Sequence, residues 1–383
     1  MATQMSRTTT PAGFPAWLVT DYQTVRALLS DPRLGLTHPA PELAARLSDS
    51  VVFGRAQQAR PTDGIDHTRM RRLLSQWFSA RRLADYRPRV EQLVDGLLDE
   101  LAASGSPADF HRVVSFPLPA LVISDLLGVP FEHRDRFRAW SDEAADMRDQ
   151  ARSEHGSTEL AAYIADMVAL RLREDTDDLL SDLVAAHRVD PEGFTLDKVV
   201  ALGMTLLFAG HETTVTAIDA GAVLLATHPD QRAQLTARAE LMPTAVEEIL
   251  RGSLPRTSYF ATPDPADVGG ALPRWANTDL DIGGVTIQEG EMVLLGLAHA
   301  NVDPHLVGDH QGFDVTREAN RHLTFGHGKH FCAGAPLARL ELDVLFARVV
   351  QRFPGLTLAV PLNELEPRDN LLTGGLNALP VTW

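Results

Sequence analysis

Phe325-Gly326-His327-Gly328-Lys329-His330-Phe331-Cys332-Ala333-Gly334 is the stretch on which the reading of this chain turns. It holds the only cysteine among 383 residues. No internal disulfide can form, so the sulfur is either an inert buried thiol or a reactive one. Three glycines within ten residues make a loop that can approach a flat ligand without Cβ clashes. A helical pattern follows at once. Pro336 stands at an early turn position, where a missing N–H costs nothing. Ala338, Leu342, Leu345, Val349 and Phe353 recur at helical spacing, and Pro354-Gly355 stops the run. Cys332 therefore sits just before a helix N-terminus, where free N–H groups and the positive dipole end favour an anionic sulfur. A thiolate so placed is a nucleophile or a ligand for a soft metal. An inert cysteine leaves the glycines unexplained. A zinc site using His327, His330 and Cys332 lacks a fourth protein ligand and the usual paired spacings.

Composition narrows the class. With 44% hydrophobic and 22% charged residues, the chain has ample material for a folded core. No Pro/Gly/Ser-rich linker and no repeat interrupts it, so a single domain over residues 1–383 is expected. A net charge of -16 argues against nucleic acid as a partner. Residues 1–13 are polar and threonine-rich, without the basic and apolar regions of a signal peptide or a membrane anchor. The longest apolar run, Val199 to Ala226, contains His211, Glu212 and Asp219, which argues against a membrane span. A cytoplasmic protein is the expectation.

Periodicity gives a coarse map. Ala16 to Val19 reads as a short strand, and Asp21 as the N-cap of a helix through Leu29. Val90, Leu93, Val94, Leu97, Leu98 and Leu101 fall on one helical face between Tyr86 and Ala103. The segment Arg136 to Arg173 is helical in pattern but poor in bulky apolar residues, and predicts surface helices. Thr195 caps a run that ends at His228-Pro229, roughly thirty residues or about 45 to 50 Å of helix. Leu280-Asp281-Ile282, Gly283-Gly284 and Val285-Thr286-Ile287 read as a hairpin. Met292 to Leu297 and Leu356 to Val360 add strands, and Gly374-Gly375 turns a last hairpin ending at Trp383. Periodicity alone yields an α-rich, mixed fold.

Three further stretches bear chemistry. Ala209-Gly210-His211-Glu212-Thr213-Thr214 sets poor helix formers in mid-helix among leucines, Phe208 and Val215. Gly210 opens space there, and a threonine hydroxyl can bond back to a carbonyl and loosen the helix. In Asp66-His67-Thr68-Arg69-Met70-Arg71, His67 and Arg71 stand four apart on one face; a solvated basic patch reads the same way. Glu248-Ile249-Leu250-Arg251 gives an i,i+3 pair, ordinarily a surface salt bridge of small worth.

In chain order these motifs resemble the cytochrome P450 monooxygenases. The loop pattern Phe-Gly-x-Gly-x-His-x-Cys-x-Gly is complete from Phe325 to Gly334, and the resemblance runs from Trp17 to Trp383. It implies a mainly α fold with minor antiparallel β, triangular, with a long central helix over the haem. It implies haem b with Cys332 as the axial metal ligand, seated by Phe325, Gly326, His330 and Gly334 and faced by Ala209 and Gly210. Glu212 and Thr213 would be the acid–alcohol pair that delivers protons during oxygen activation. His67, Arg71, His330 and Arg274 would hold the propionates. Glu248, Arg251 and, as a third member, Arg317 would lock the cysteine loop.

The implied reaction inserts one oxygen atom from dioxygen into a small organic substrate, by hydroxylation or epoxidation, with a secondary-metabolite intermediate as the guess. Electrons would come from ferredoxin and ferredoxin reductase, since no glycine-rich dinucleotide fingerprint is present. Arg69, Arg72, Lys329 and Arg339 would meet the ferredoxin, unless Arg339 pairs with Glu341 or Asp343. A monomer is expected. A haem-thiolate sensor and a peroxide-driven peroxygenase are the competing readings; neither needs the Glu212–Thr213 pair. The pocket would draw on residues 48–63, 136–173, 206–209, 252–272 and 372–376. Two departures from the family stand out: a shorter N-terminal segment, and a longer stretch between Arg251 and Arg274.

Overall fold

Thr195 starts the element that organises the molecule. Its extended backbone and a bond accepted from the Lys198 N–H cap the helix Leu196–Thr227, 32 residues and about 48 Å long. In the computed structural model, which describes residues 4–52, 54–58, 63–174, 176–254, 266–308, 312–368, 370–371 and 373–383 (backbone alone for 63–66, 131 and 134), this helix is continuous. Helices Pro117–Leu127, Gln150–Arg171, Leu179–Val189 and Met242–Gly252 pack on it. It is long and apolar enough to cross a membrane, but here its apolar residues fill the largest hydrophobic cluster.

The stripe read between Tyr86 and Ala103 belongs to the helix Ala80–Ala103, capped by Ser79. Val90, Val94, Leu97, Leu98 and Leu101 are buried, and the helix packs on Ala335–Arg352, the helix that follows the cysteine. Asp21 caps Tyr22–Leu28, accepting from the Thr24 N–H.

The segment 136–173 departs from expectation. Its helices Arg134–Ala144 and Gln150–Arg171 pack on each other, and the second also packs on the central helix. Phe137, Leu160, Ile164 and Val168 are buried. The reason is a small residue. A Cβ on Gly156 would overlap the Trp140 carbonyl oxygen and stand 2.6 Å from the Ala144 nitrogen. The two backbones approach through glycine, so burial is achieved with few bulky side chains.

The main sheet has five strands in the order Met5–Thr9, Pro15–Val19, Met292–Gly296, Ala271–Ala276, Leu34–Gly35. The pairing of Pro15–Val19 with Met292–Gly296 is parallel, the others antiparallel. Leu280–Ile282 and Val285–Ile287 form the expected hairpin on Gly283 and Gly284, whose φ angles of 60° and 85° suit glycine. The strand expected over 356–360 is only Thr357–Leu358, paired with Pro380–Thr382. The last hairpin is a turn closed by a single Pro367–Leu376 bridge. The stretch with Thr257, Ser258, Tyr259, Phe260 and Pro263-Asp264-Pro265 lies outside the described residues, as do parts of segments 48–63 and 372–376.

Candidate active site

The cysteine loop is held by its own backbone. The Gly326 N–H donates to the Leu323 carbonyl at 2.7 Å and the Cys332 N–H to the Phe325 carbonyl at 2.9 Å. Gly326 and Gly328 have φ of 72° and 73°, a region that excludes most side chains. A Cβ on Gly328 would also strike Ser30, at 2.5 Å from its Oγ. At Gly326 the added Cβ would meet only the His330 carbonyl, 3.8 Å away, so one face of the loop is left open. Gly334 precedes the helix Ala335–Arg352, whose first turn holds Pro336.

Cys332 opens into a recess lined by Arg71, Ser75, Phe78, Phe331, Ala333 and Pro336. Burial pushes its thiol up; the Gly334 and Ala335 N–H groups, with Arg71 and Arg339, pull the other way without overtaking it. The helix terminus alone therefore does not make the thiolate. A metal ion on the sulfur would favour the thiolate. Among the described residues no three His, Cys, Asp or Glu side chains gather to hold a metal, which removes the support for a zinc centre at His327, His330 and Cys332.

Next to the loop stands a cluster of cations. The His67 and His330 rings meet edge to face at 4.8 Å, and Arg71 Nη1 donates to the Phe331 carbonyl at 2.8 Å. Arg274 is 6% exposed, and its Nη1 donates to its neighbour's carbonyl, that of Pro273, at 2.8 Å. Burial, then Arg274, His67, Lys329 and Arg71, press the His330 imidazole down to about 4. His67 is lowered too, by burial and then by Arg71 and Lys329. No carboxylate pairs with His67, Arg71, Arg274, Lys329 or His330 among the described residues. Three elements, the helix Asp63–Trp77, the strand Ala271–Ala276 and the cysteine loop, thus converge positive charge and donors on a place that asks for an anion.

The central helix supplies the other side. Residues 211–220 are buried except Thr213, which is exposed. With Ala201 and Thr205 exposed and Ala209 half-buried, Thr213 ends a stripe at four-residue intervals that no side chain of the described residues covers. Its Oγ1 donates to the Ala209 carbonyl at 2.7 Å. The back-bond occurs without a break in the helix. Gly210 differs from expectation: a Cβ there would stand 2.9 Å from Ile123 Cδ1, so its missing side chain admits the helix Pro117–Leu127 rather than opening space.

Glu212 is 2% exposed. Burial pushes its carboxyl up, but His211, Arg368 and a bond from Thr373 outweigh it and hold it well below the usual carboxylate range. His211 Nδ1 lies 3.1 Å from Glu212 Oε1, its ring edge-on to Phe116 and Phe137. Arg368 and Thr373 were not foreseen. They lie about 160 residues away, and nothing in the local pattern marks them.

Behind the loop, Glu248 is a buried hub. Arg251 grips it at 2.8 and 2.7 Å, Arg317 Nε donates at 3.1 Å and Asn320 Nδ2 at 2.8 Å. This pair is no surface salt bridge, since Glu248 and Arg251 side chains are both 0% exposed. Arg251 also donates to the Asn301 carbonyl, and Asn301 Oδ1 accepts from the Leu323 N–H at 2.7 Å. Asn301, missed in the sequence, is the link from the hub to the residue two before Phe325.

The expected ferredoxin face is partly neutralised. Arg339 grips Glu247 at 2.6 and 2.9 Å, not Glu341 or Asp343, and stacks on Phe325. Arg69 pairs with Asp190 at 2.5 Å. Arg72 and Lys329 remain exposed.

Residues 109–242 and 266–377 match the family model for "Cytochrome P450". The chain belongs to the cytochrome P450 family. It is 40% identical over 376 residues to pentalenolactone synthase of Streptomyces exfoliatus, covering 97% of this chain and 91% of that one. It is 39% identical to a mycinamicin IV hydroxylase/epoxidase of Micromonospora griseorubida, covering 99% and 92%. The crystal structure of PimD, a pimaricin epoxidase, superposes with a TM-score of 0.83 at 36% identity, covering 100% of this chain and 93% of that one. The protein is thus a bacterial-type P450 monooxygenase with the P450 fold.

The family implies a haem, and the residues of this P450 fit one. The Gly326 face is open, the Cys332 sulfur faces a recess, and the adjacent cluster of cations and imidazoles has no carboxylate partner among the described residues. Cys332 would hold the iron, and His67, Arg71, Arg274 and His330 the propionates. Replacing both His67 and Arg71 by alanine should lower haem occupancy after purification, each lost charge-assisted bond being worth roughly 1.5 to 3 kcal/mol. The thiolate spectrum of the haem that remains should not change. Unchanged occupancy would mean that these two are an ordinary solvated patch.

Proposed function

We propose that this single-domain P450 is a cytoplasmic, monomeric, ferredoxin-dependent monooxygenase that hydroxylates or epoxidises a small secondary-metabolite intermediate. The observation that carries it is Thr213, an open hydroxyl on an otherwise buried stretch beside the buried carboxylate of Glu212. A sensor or a peroxide-driven peroxygenase has no use for that pair. The substrate class is supported by the relatives, named for pentalenolactone and mycinamicin.

Haem, when bound, supplies the redox chemistry that activates dioxygen, and the thiolate's electron donation favours O–O cleavage. The chain's own residues do the rest. Cys332 provides the sulfur, and the cation cluster orients the ring through its carboxylates. Thr213 Oγ1 releases its bond to the Ala209 carbonyl and holds a water or a proton on the open stripe. Glu212, its neighbour on the helix, relays protons from solvent to that hydroxyl. Arg72 and Lys329 present positive charge to an acidic ferredoxin, so the reduction rate should fall as salt rises.

Two measurements test the proposal. Reduced ferredoxin with dioxygen should support turnover of a responsive substrate, and hydrogen peroxide alone should not; the reverse would make the protein a peroxygenase, and no turnover with either a sensor. Thr213→Ala should bind substrate as the parent does but release peroxide in place of product. General acid–base groups contribute roughly 100-fold or more, so most electrons should be lost. Equal product per electron would remove Thr213 from the reaction.

A further inference from the structure

Glu247 stands next to the Glu248 hub on the helix Met242–Gly252 but takes different partners. Its two oxygens hold a guanidinium and an imidazole. Arg339 Nε donates to Oε1 at 2.6 Å and Arg339 Nη2 to Oε2 at 2.9 Å. His322 Nε2 lies 3.1 Å from Oε2. The Thr324 N–H donates to His322 Nδ1 at 3.3 Å, so Nδ1 accepts and Nε2 is the nitrogen that donates to the carboxylate. Burial pushes the Glu247 carboxyl up, but the bonds from Arg339 and then His322 outweigh it and hold it down at about 2. Glu247 is therefore an anion at neutral pH.

Both partners of Glu247 press on Phe325. Arg339 stacks over its ring, the guanidinium carbon 4.6 Å from the centroid. The His322 ring stands 5.9 Å away, and Phe331 meets the ring edge-on at 6.2 Å. The Phe325 carbonyl accepts the Cys332 N–H, so whatever fixes Phe325 fixes the backbone at the sulfur. The brace has an electrostatic consequence. Arg339 is one of the cations that favour negative charge on Cys332. A cation that stabilises charge on a sulfur ligand also keeps electron density there that would otherwise pass to a bound iron. Glu247, joined to the same guanidinium by two bonds, offsets that charge. The side chains of Arg339 and Glu247 are 36% and 28% exposed, so solvent screens the pair only in part.

We propose that Arg339 is a positioning residue for the cysteine loop and that Glu247 is its counter-charge, so that a cation braces Phe325 without drawing electron density from the Cys332 sulfur. The helix Met242–Gly252 then contributes twice. Glu248 builds the frame behind the loop, and Glu247 sets how freely the sulfur donates. The same pairing accounts for the withdrawal of Arg339 from the expected ferredoxin face. The inference rests on the reading of Cys332 as the axial sulfur.

The test is the reduction potential of the haem-loaded protein, titrated with mediator dyes and without ferredoxin, together with the C–O stretching frequency of its ferrous carbon-monoxide complex. Glu247→Gln keeps the shape and an acceptor for Arg339 but leaves the guanidinium uncompensated. It should move the ferric–ferrous equilibrium toward the ferrous form by roughly 3- to 10-fold, the scale of a partly screened unit charge. The C–O frequency should rise, because a sulfur that donates less leaves the iron less density to pass on. Arg339→Gln should shift both readings the other way, and the double variant should return close to the parent. Arg339→Lys keeps the charge but loses the stacked fork. Its potential should stay near the parent's while amide exchange of the peptide Phe325–Gly334 quickens, which separates the brace from the charge. An unchanged potential and C–O frequency in Glu247→Gln would overturn the counter-charge, even if the variant were less stable. Unchanged exchange in Arg339→Lys would overturn the brace. Should Arg339→Gln fail to retain haem, the Glu247→Gln comparison still decides. If the unmodified protein lacks the red-shifted Soret band, the reading of Cys332 fails on its own, since that spectrum involves neither substitution.

Discussion

Glu248→Gln is expected to yield protein that is largely insoluble or devoid of haem. The substitution keeps the shape and removes the charge, leaving the buried Arg251 and the partly buried Arg317 around a neutral amide. Breaking a buried ion pair from one side costs roughly 3 to 5 kcal/mol, against a total stability of about 5 to 15 kcal/mol. The damage should also reach the haem site, because Arg251 holds Asn301 and Asn301 holds the Leu323 N–H. Thermal denaturation with haem content checks it. The control is Arg238→Ala, which breaks an exposed pair with Glu240, 54% and 69% open; it should shift stability little. Equal behaviour of the two variants would contradict the hub.

Cys332→Ser is expected to act in the opposite sense: a sound fold and a lost reaction. Serine is close in size, and the side chain faces a recess rather than the packed core. Stability of the haem-free chain should change by no more than about 0.5 kcal/mol. A hydroxyl in that place binds iron poorly and donates little electron density. Product formation with ferredoxin should fall by roughly three orders of magnitude or more, about 4 kcal/mol of barrier. Retained turnover would mean that another residue is the axial ligand.

These two sites differ in how well the sequence displays them. The cysteine loop is legible because its working residues lie within ten positions and its glycines are required by local backbone geometry. Helices announced by caps are legible for the same reason: Thr195, Asp21 and the Gly283-Gly284 turn act on their neighbours. What escaped the reading is made of contacts between distant segments. Asn301 reaches Arg251 over 50 residues and Leu323 over 22. Arg339 takes Glu247, 92 residues away, although Glu341 and Asp343 stand nearer in the chain, and Arg69 takes Asp190 over 121. Charge pairing across a fold leaves no period in the sequence. The segment 136–173 misled for another reason: Gly156 buries a helix by closeness instead of bulk. Gly210 misled in the same way, since the space its missing side chain leaves is taken by Ile123.

The central claim is that Cys332 holds a haem iron as a thiolate in a monooxygenase site. The absorption spectrum of the purified protein, reduced and exposed to carbon monoxide, tests it most directly. A thiolate ligand donates charge to the iron and should give the strongly red-shifted Soret band of the haem-thiolate proteins, absent in Cys332→Ser. A band at the position of histidine-ligated haem, or the same red-shifted band in Cys332→Ser, would contradict the account.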